Sequence, residues 1–184
     1  AVDTILHAKH IYIIGIRSCA PLASFMAFYF TLMFPNVHLI QTSSSSEIFE
    51  QMVRIGKEDV IIGISFPRYS MRTLKAMEFA NNRSAKVITL TDSVHSPMNL
   101  YSSCNLIADS DMASIVDSLV APLSVINALI VALCMKKQNE VAKTLEMLED
   151  IWDEYQVYEN DEINYIDDSI KMRYGKVGDA ELYE

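Results

Sequence analysis

Cysteine is scarce: Cys19, Cys104 and Cys134 are the only three in 184 residues. They are scattered and odd in number, with no Cys-x-x-Cys and no Cys/His cluster, so neither a disulfide framework nor a zinc site is expected. The four histidines, His7, His10, His38 and His95, show no metal-ligand spacing either. Unpaired thiols fit a reducing cytoplasm. Positive charge is also short. Fifteen Lys and Arg against 24 Asp and Glu leave a net charge of −9. A chain of that sign repels nucleic acid, so direct DNA contact by this stretch is not expected. Long apolar runs are missing too. Cys19 to Phe34 is short, holds Pro21 and ends at Pro35. Leu119 to Met135 is longer but carries Pro122, Ser124 and Asn127. Both fall near or below the length that spans a bilayer, so no membrane partner is expected, and both read as buried helices covering a sheet. The start, Ala1 to His10, lacks the basic-then-apolar order of a signal peptide. It also lacks an initiator Met, which fits a cut-out domain and equally a processed chain.

What is present is globular. Hydrophobic residues make up 51% and charged residues 21%, and the length suits one domain with a real core. The most informative stretch is Asp59 to Phe79, DVIIGISFPRYSMRTLKAMEF. Val60 to Ile64 is β-branched and of strand length, suited to burial on both faces. Ser65 to Ser70 is a polar turn with two hydroxyls and a guanidinium. Leu74, Met77 and Phe79, with Ala76 and Ala80, then follow a helical period. Strand, hydroxyl-rich turn and helix start form an anion site in principle, because free N–H groups and the helix dipole favour negative charge there. Ser65, Ser70 and Arg68 add donors. The competing reading is that Ser70 only caps the helix.

The rest of the chain repeats the theme. Val2 to Ala8 reads as a short helix, Ile11 to Ile16 as the first strand and Ala20 to Phe34 as the next helix, with Pro21 in its first turn. Val37 to Gln41 is a second strand, ending in the hydroxyl run Thr42 to Ser46. Glu47 to Ile55 is a helix closed by Gly56. Lys86 to Leu90 is the fourth strand, with Thr91, Asp92 and Ser93 at its end. Pro97 to Tyr101 is one helical turn, Asn105 to Ala108 the fifth strand, and Met112 to Met135 mostly one long helix. Strands alternating with helices predict a three-layer α/β/α sandwich around a five-stranded parallel sheet. Ligands in such sheets bind beyond the carboxyl ends of the strands, where this sequence puts its polar turns.

The segments GIRSC, ISFPRYS and KVITLTDSVHSPM, each in its strand–turn–helix setting, carry a family resemblance over about Ile11 to Met135. The chain resembles the sugar isomerase (SIS) domain, and within it the ligand-sensing half of RpiR-type transcriptional regulators. The resemblance implies a SIS-like, flavodoxin-like topology. In the Gly-x-Gly-x-Ser turn of the family, Gly15 and Ser18 are set against the first glycine and the serine, with Arg17 at the second glycine. In the Ser-x-Ser-Gly-x-Thr turn, Ser65 and Ser70 match the first serine and the threonine, Pro67 replaces the second serine and Arg68 the glycine. The implied ligand-binding residues are Gly15, Arg17, Ser18, Ser43, Ser65, Arg68, Tyr69 and Ser70, with Glu47, Asp92 and His95 as secondary candidates. The lost glycines remove room for close backbone approach, while two guanidinium forks suit phosphate or carboxylate. The competing reading pairs both arginines with surface acids.

The function so implied is sensing of a phosphorylated sugar by a regulator whose helix-turn-helix DNA-binding part precedes Ala1. The domain is expected as a homodimer or higher homo-oligomer, cytoplasmic, with no cofactor, no metal and no catalytic residue. The alternative is a sugar-phosphate isomerase, which needs a positioned base. Glu47 resembles a glutamate of some SIS enzymes, but a carboxylate in a first helical turn is expected anyway. A third reading keeps only dimerisation. Val141, Leu145, Leu148, Trp152 and Tyr155 form one apolar helical stripe, for packing on the domain or a partner copy. Residues 1–156 are thus expected as the phosphosugar-binding domain and 157–184 as an acidic tail, with Tyr158, Tyr165, Ile166 and Ile170 as its anchors.

Overall fold

The computed structural model describes residues 1–42, 44–111 and 118–158. They contain helices α1 (Val2–Leu6), α2 (Ala20–Met33), α3 (Ser45–Gln51), α4 (Met71–Asn82), α5 (Val120–Lys136) and α6 (Gln138–Glu154). The strands are β1 (Ile11–Gly15), β2 (Val37–Ile40), β3 (Val60–Ile64), β4 (Lys86–Thr91) and β5 (Cys104–Ile107). The five strands are all parallel, in the order β2-β1-β3-β4-β5. The expected sandwich is therefore what forms.

Alternation along each strand explains the three layers. Ile11 and Ile13 of β1, with Ile62 and Ile64 of β3, join one core with α1, α2 and α5. Tyr12 and Ile14 of β1, with Ile61 of β3, join the other with α3 and α4. A strand covered on both faces must be apolar throughout, which is why IYIIG and VIIGI read as unbroken runs. Full burial of each isoleucine is worth about 1.5–3 kcal/mol relative to exposure.

Several boundaries differ from the sequence reading. α3 ends at Gln51, and Gly56 does not close it. Instead the Gly56 N–H donates to buried Asp59 Oδ2 at 2.8 Å, tightening the turn before β3. The helix expected from Met112 starts only at Val120, because Pro122 takes its first turn and Ser118 and Leu119 are not helical. Residues 112–117 of that expectation lie outside the described residues. So do Tyr165, Ile166 and Ile170 of the expected tail. The chain divides into two compact units, residues 1–141 and 142–184. In the second, Trp152 and Tyr158 meet edge to face with ring centroids 5.3 Å apart. Among the described residues no single helix is long and apolar enough to cross a membrane.

Candidate functional site

β1 and β3 are neighbours, yet the helices that follow them cover opposite faces, α2 one and α4 the other. Their outgoing loops part, and a crevice opens at the carboxyl ends of the two strands. It is a cavity of about 670 Å³ lined by Ile16 to Cys19, Ser65 to Arg72, and Leu119. That volume suits a small organic ligand.

The loop after β3 is built by its own hydroxyls. Ser65 is buried, and its Oγ accepts from the Ser70 backbone N–H at 3.0 Å. Ser70 is the N-cap of α4, its Oγ accepting from the Thr73 N–H at 3.3 Å. The capping reading of Ser70 is therefore realised. It does not exclude a ligand role, since each hydroxyl acts as acceptor in these bonds and also carries a donor hydrogen. Tyr69 donates to Asp92 at 2.9 and 3.1 Å, which ties the loop to the end of β4. Thr91 Oγ1 also donates to Asp92 Oδ1, at 3.1 Å. Burial pushes the Tyr69 phenol up; a hydrogen bond with Ser96 opposes this, and the Asp92 carboxylate adds to it.

The two arginines that replace family glycines have a shared geometry. Arg17 has φ 59° and Arg68 φ 62°, both left-handed. The other described non-glycine residues of positive φ, Ser84 and Gln156, lie just beyond the ends of α4 and α6, where such a conformation commonly ends a helix. Neither Arg17 nor Arg68 ends a helix. Their backbone keeps the glycine shape of the motif at a cost of about 1–3 kcal/mol each. Both side chains are exposed, both residues line the cavity, and neither has an ion-pair partner among the described residues. The surface-pair reading of these arginines is thus not what the described residues show.

Gly15, the last residue of β1, directly precedes the lining loop and does not itself line the cavity. A Cβ there would stand 2.6 Å from the Cys19 carbonyl oxygen and 3.0 Å from Ala23 Cβ, so glycine lets the 3-10 turn Arg17–Cys19 and α2 settle against β1. Ser18 lines the cavity and is exposed. Asp92 stands one bond behind it, through Tyr69. Glu47, in the first turn of α3, accepts from Thr42 Oγ1 and does not line the cavity. His95 is exposed in the loop after β4, its backbone N–H bonded to Ser93 Oγ at 3.1 Å, and does not line it either. Ser43 lies outside the described residues. Among the described residues no group of three or more His, Cys, Asp or Glu is placed to hold a metal ion.

Among the lining residues that the predicted set lacks, two carry a reactive or charged group, Cys19 and Arg72. Counted from Gly15, the serine place of the first turn is the fifth and falls on Cys19, so matching Ser18 to it is corrected by one position. Cys19 is buried under the loop. Arg72 was the other. The first turn of α4 has no acidic residue and carries this cation instead, against the helix dipole, and that reversal was the available signal.

Comparison with known proteins agrees with this geometry. A family model described as the SIS domain matches residues 4–132. An uncharacterized HTH-type transcriptional regulator of Caldanaerobacter subterraneus is 32% identical over 98 residues, 51% of this chain. The match spans only 35% of that relative's length. The sugar isomerase domain of an RpiR transcription factor from Sphaerobacter thermophilus superposes with a TM-score of 0.77 at 22% identity, covering 81% of this chain and 83% of that one. The Vibrio vulnificus NanR protein, complexed with ManNAc-6P, gives 0.70 at 18% identity, covering 82% and 59%. A Methanococcus jannaschii protein with an inferred 3-hexulose-6-phosphate isomerase function gives 0.62 at 14% identity, covering 78% and 80%. At these identities the three structures speak for the fold, regulator and isomerase alike. With a matching family model over most of its length and a sheet of the same kind, this chain belongs to the SIS domain family.

Proposed function

We propose that the domain senses a phosphorylated sugar on behalf of a transcriptional regulator. The observation that carries this is the make-up of the cavity lining. It offers hydroxyls, the N-terminus of α4 and three guanidinium groups, and among the described residues no carboxylate or imidazole lines it. An aldose–ketose isomerase needs a base held beside the sugar carbonyl, and Glu47 and His95 both stand elsewhere. The tyrosine that lines it, Tyr69, has its phenol pushed up by burial and is a poor base at neutral pH. The curated relative, a helix-turn-helix regulator, supports the same reading. In this proposal DNA is contacted through a helix-turn-helix part outside residues 1–184, in the cytoplasm, and the domain works as a homodimer or higher homo-oligomer. Phe28 of α2 and Val131 of α5 are exposed apolar side chains that suit a second copy.

The test is a panel of aldose and ketose phosphates, headed by the N-acetylmannosamine 6-phosphate bound by the Vibrio protein. A ligand at a hundred times its dissociation constant adds about 2.7 kcal/mol, plain in a melting curve. Ser70→Ala and Ser65→Ala should each weaken binding by about 1 kcal/mol or more. Interconversion of aldose and ketose by the same protein, lost in Glu47→Ala, would establish the isomerase instead.

A further inference from the structure

Resting on the phosphosugar reading, we infer that the cavity takes a ligand with two separate anionic groups: a phosphate and, across from it, a carboxylate or second phosphate. The β3 side alone is equipped for one phosphate. It has Ser65, Ser70, the positive end of the α4 dipole and the guanidinium of Arg68. Arg17 is surplus to that need. It rises from a different loop, after β1, and lines the same cavity. Its left-handed backbone would be free of strain with glycine, the residue of the family turn. No described acidic residue neutralises it, although the chain carries 24 acids. A monophosphate brings a charge of about −1.5 to −2, which the β3 side already answers. Guanidinium groups on both walls of one crevice repel one another until a ligand supplies charge to each. Both phosphate and carboxylate match the guanidinium fork, so the second group is defined by charge and planar or tetrahedral oxygens.

Calorimetric titration of the chain with glucose 6-phosphate, fructose 1,6-bisphosphate and 6-phosphogluconate tests this. One or both doubly anionic compounds should bind about tenfold tighter than glucose 6-phosphate, the gain of one charge-assisted fork. The bisphosphate against the sugar acid tells which second group is preferred. Arg17→Gly keeps the backbone shape, so its melting temperature should hold or rise. It should bring the doubly anionic compounds down to the level of the monophosphate, a loss clearly larger than the one it causes for the monophosphate. Equal affinity for all three compounds, or an equal loss for all three in Arg17→Gly, overturns this inference and leaves the sensor reading standing. Binding of none of them, together with no melting shift from the wider phosphosugar panel, overturns the sensor reading itself and this inference with it.

Discussion

The two ends of one sheet differ in how their charges are answered. At the carboxyl ends of β1 and β3, the cavity lining holds Arg17, Arg68 and Arg72 and no described carboxylate. At the amino ends of β3 and β4, a smaller cavity of about 360 Å³ is lined by Asp3, His7, Lys57, Glu58, Asp59 and Lys86 among others. There the signs are interleaved, and Lys9 and Glu58 approach to 3.9 Å nearby. Asp59, the buried one, is spent on the Gly56 N–H. Helices in a parallel sheet begin at its carboxyl end and finish at its amino end. Their dipoles therefore favour anions at the first and cations at the second. Lysines at the amino end complete that field, whereas Arg17 and Arg68 at the carboxyl end run with it, and no described acidic residue pairs with either. A hole in the surface is thus a poor guide to function, and the imbalance of charge around it is a better one.

The sharpest way to break the contrast is to disturb the turn that carries Arg17 at the arginine-lined end. Gly15→Ala drives a methyl into the Cys19 carbonyl, which is backbone and cannot swing aside. We expect a loss of about 1–3 kcal/mol in urea unfolding, together with weakened phosphosugar binding because Arg17 and Ser18 ride on the same turn. A variant as stable as the parent would show that the turn is soft and that Gly15 does not set the cavity.

Next in size is Arg68→Gly. The φ of 62° becomes unstrained, and stability should rise by about 1 kcal/mol. Ligand binding should fall at the same time. Stability and binding moving in opposite directions mark strain kept for function. Both falling together would mean that the guanidinium packs structurally and that the two ends of the sheet are alike.

The smallest effect belongs to the amino-end side. His10 Nδ1 and His38 Nε2 lie 3.1 Å apart, and His38 stacks on Tyr12 at a centroid distance of 4.8 Å. Burial, then the neighbouring His10, lowers the His38 pKa from its ordinary 6.5, with Asp59 opposing. The unfolded chain then binds the proton more readily than the folded one. Stability is full above about pH 6.5 and declines as pH falls from there toward the folded pKa. His38 is exposed, so solvent screening keeps the decline modest. Melting temperatures between about pH 7 and 5 should show a shallower decline in His38→Gln than in the parent. Phosphosugar affinity should not change with that substitution. If it did, the two ends would be coupled.

Much of this molecule was legible before any coordinates. Val60 to Ile64 is a strand with the bounds its β-branched run suggested, and Pro97 to Tyr101 is the expected single turn. Ser70 starts a helix because its oxygen answers an orphan N–H, a local event that the turn sequence encodes. The family motifs were visible too, since they are runs of neighbouring residues. Less legible were boundaries decided by packing, such as α5 starting at Val120 and α3 stopping at Gln51.

What the chain's own order of residues determined is the set of elements, because apolar period and turn chemistry act between residues a few positions apart. What only the tertiary structure decided is which of four hydroxyl-rich strand ends make the cavity. The loops after β1 and β3 wall one crevice because those strands pair and send their helices to opposite faces, while Glu47 and His95, on equally polar turns, are left outside. Strand order and crossover side are set by burying both faces of the sheet at once, a condition that acts between residues some fifty positions apart and leaves no trace in any short stretch of sequence.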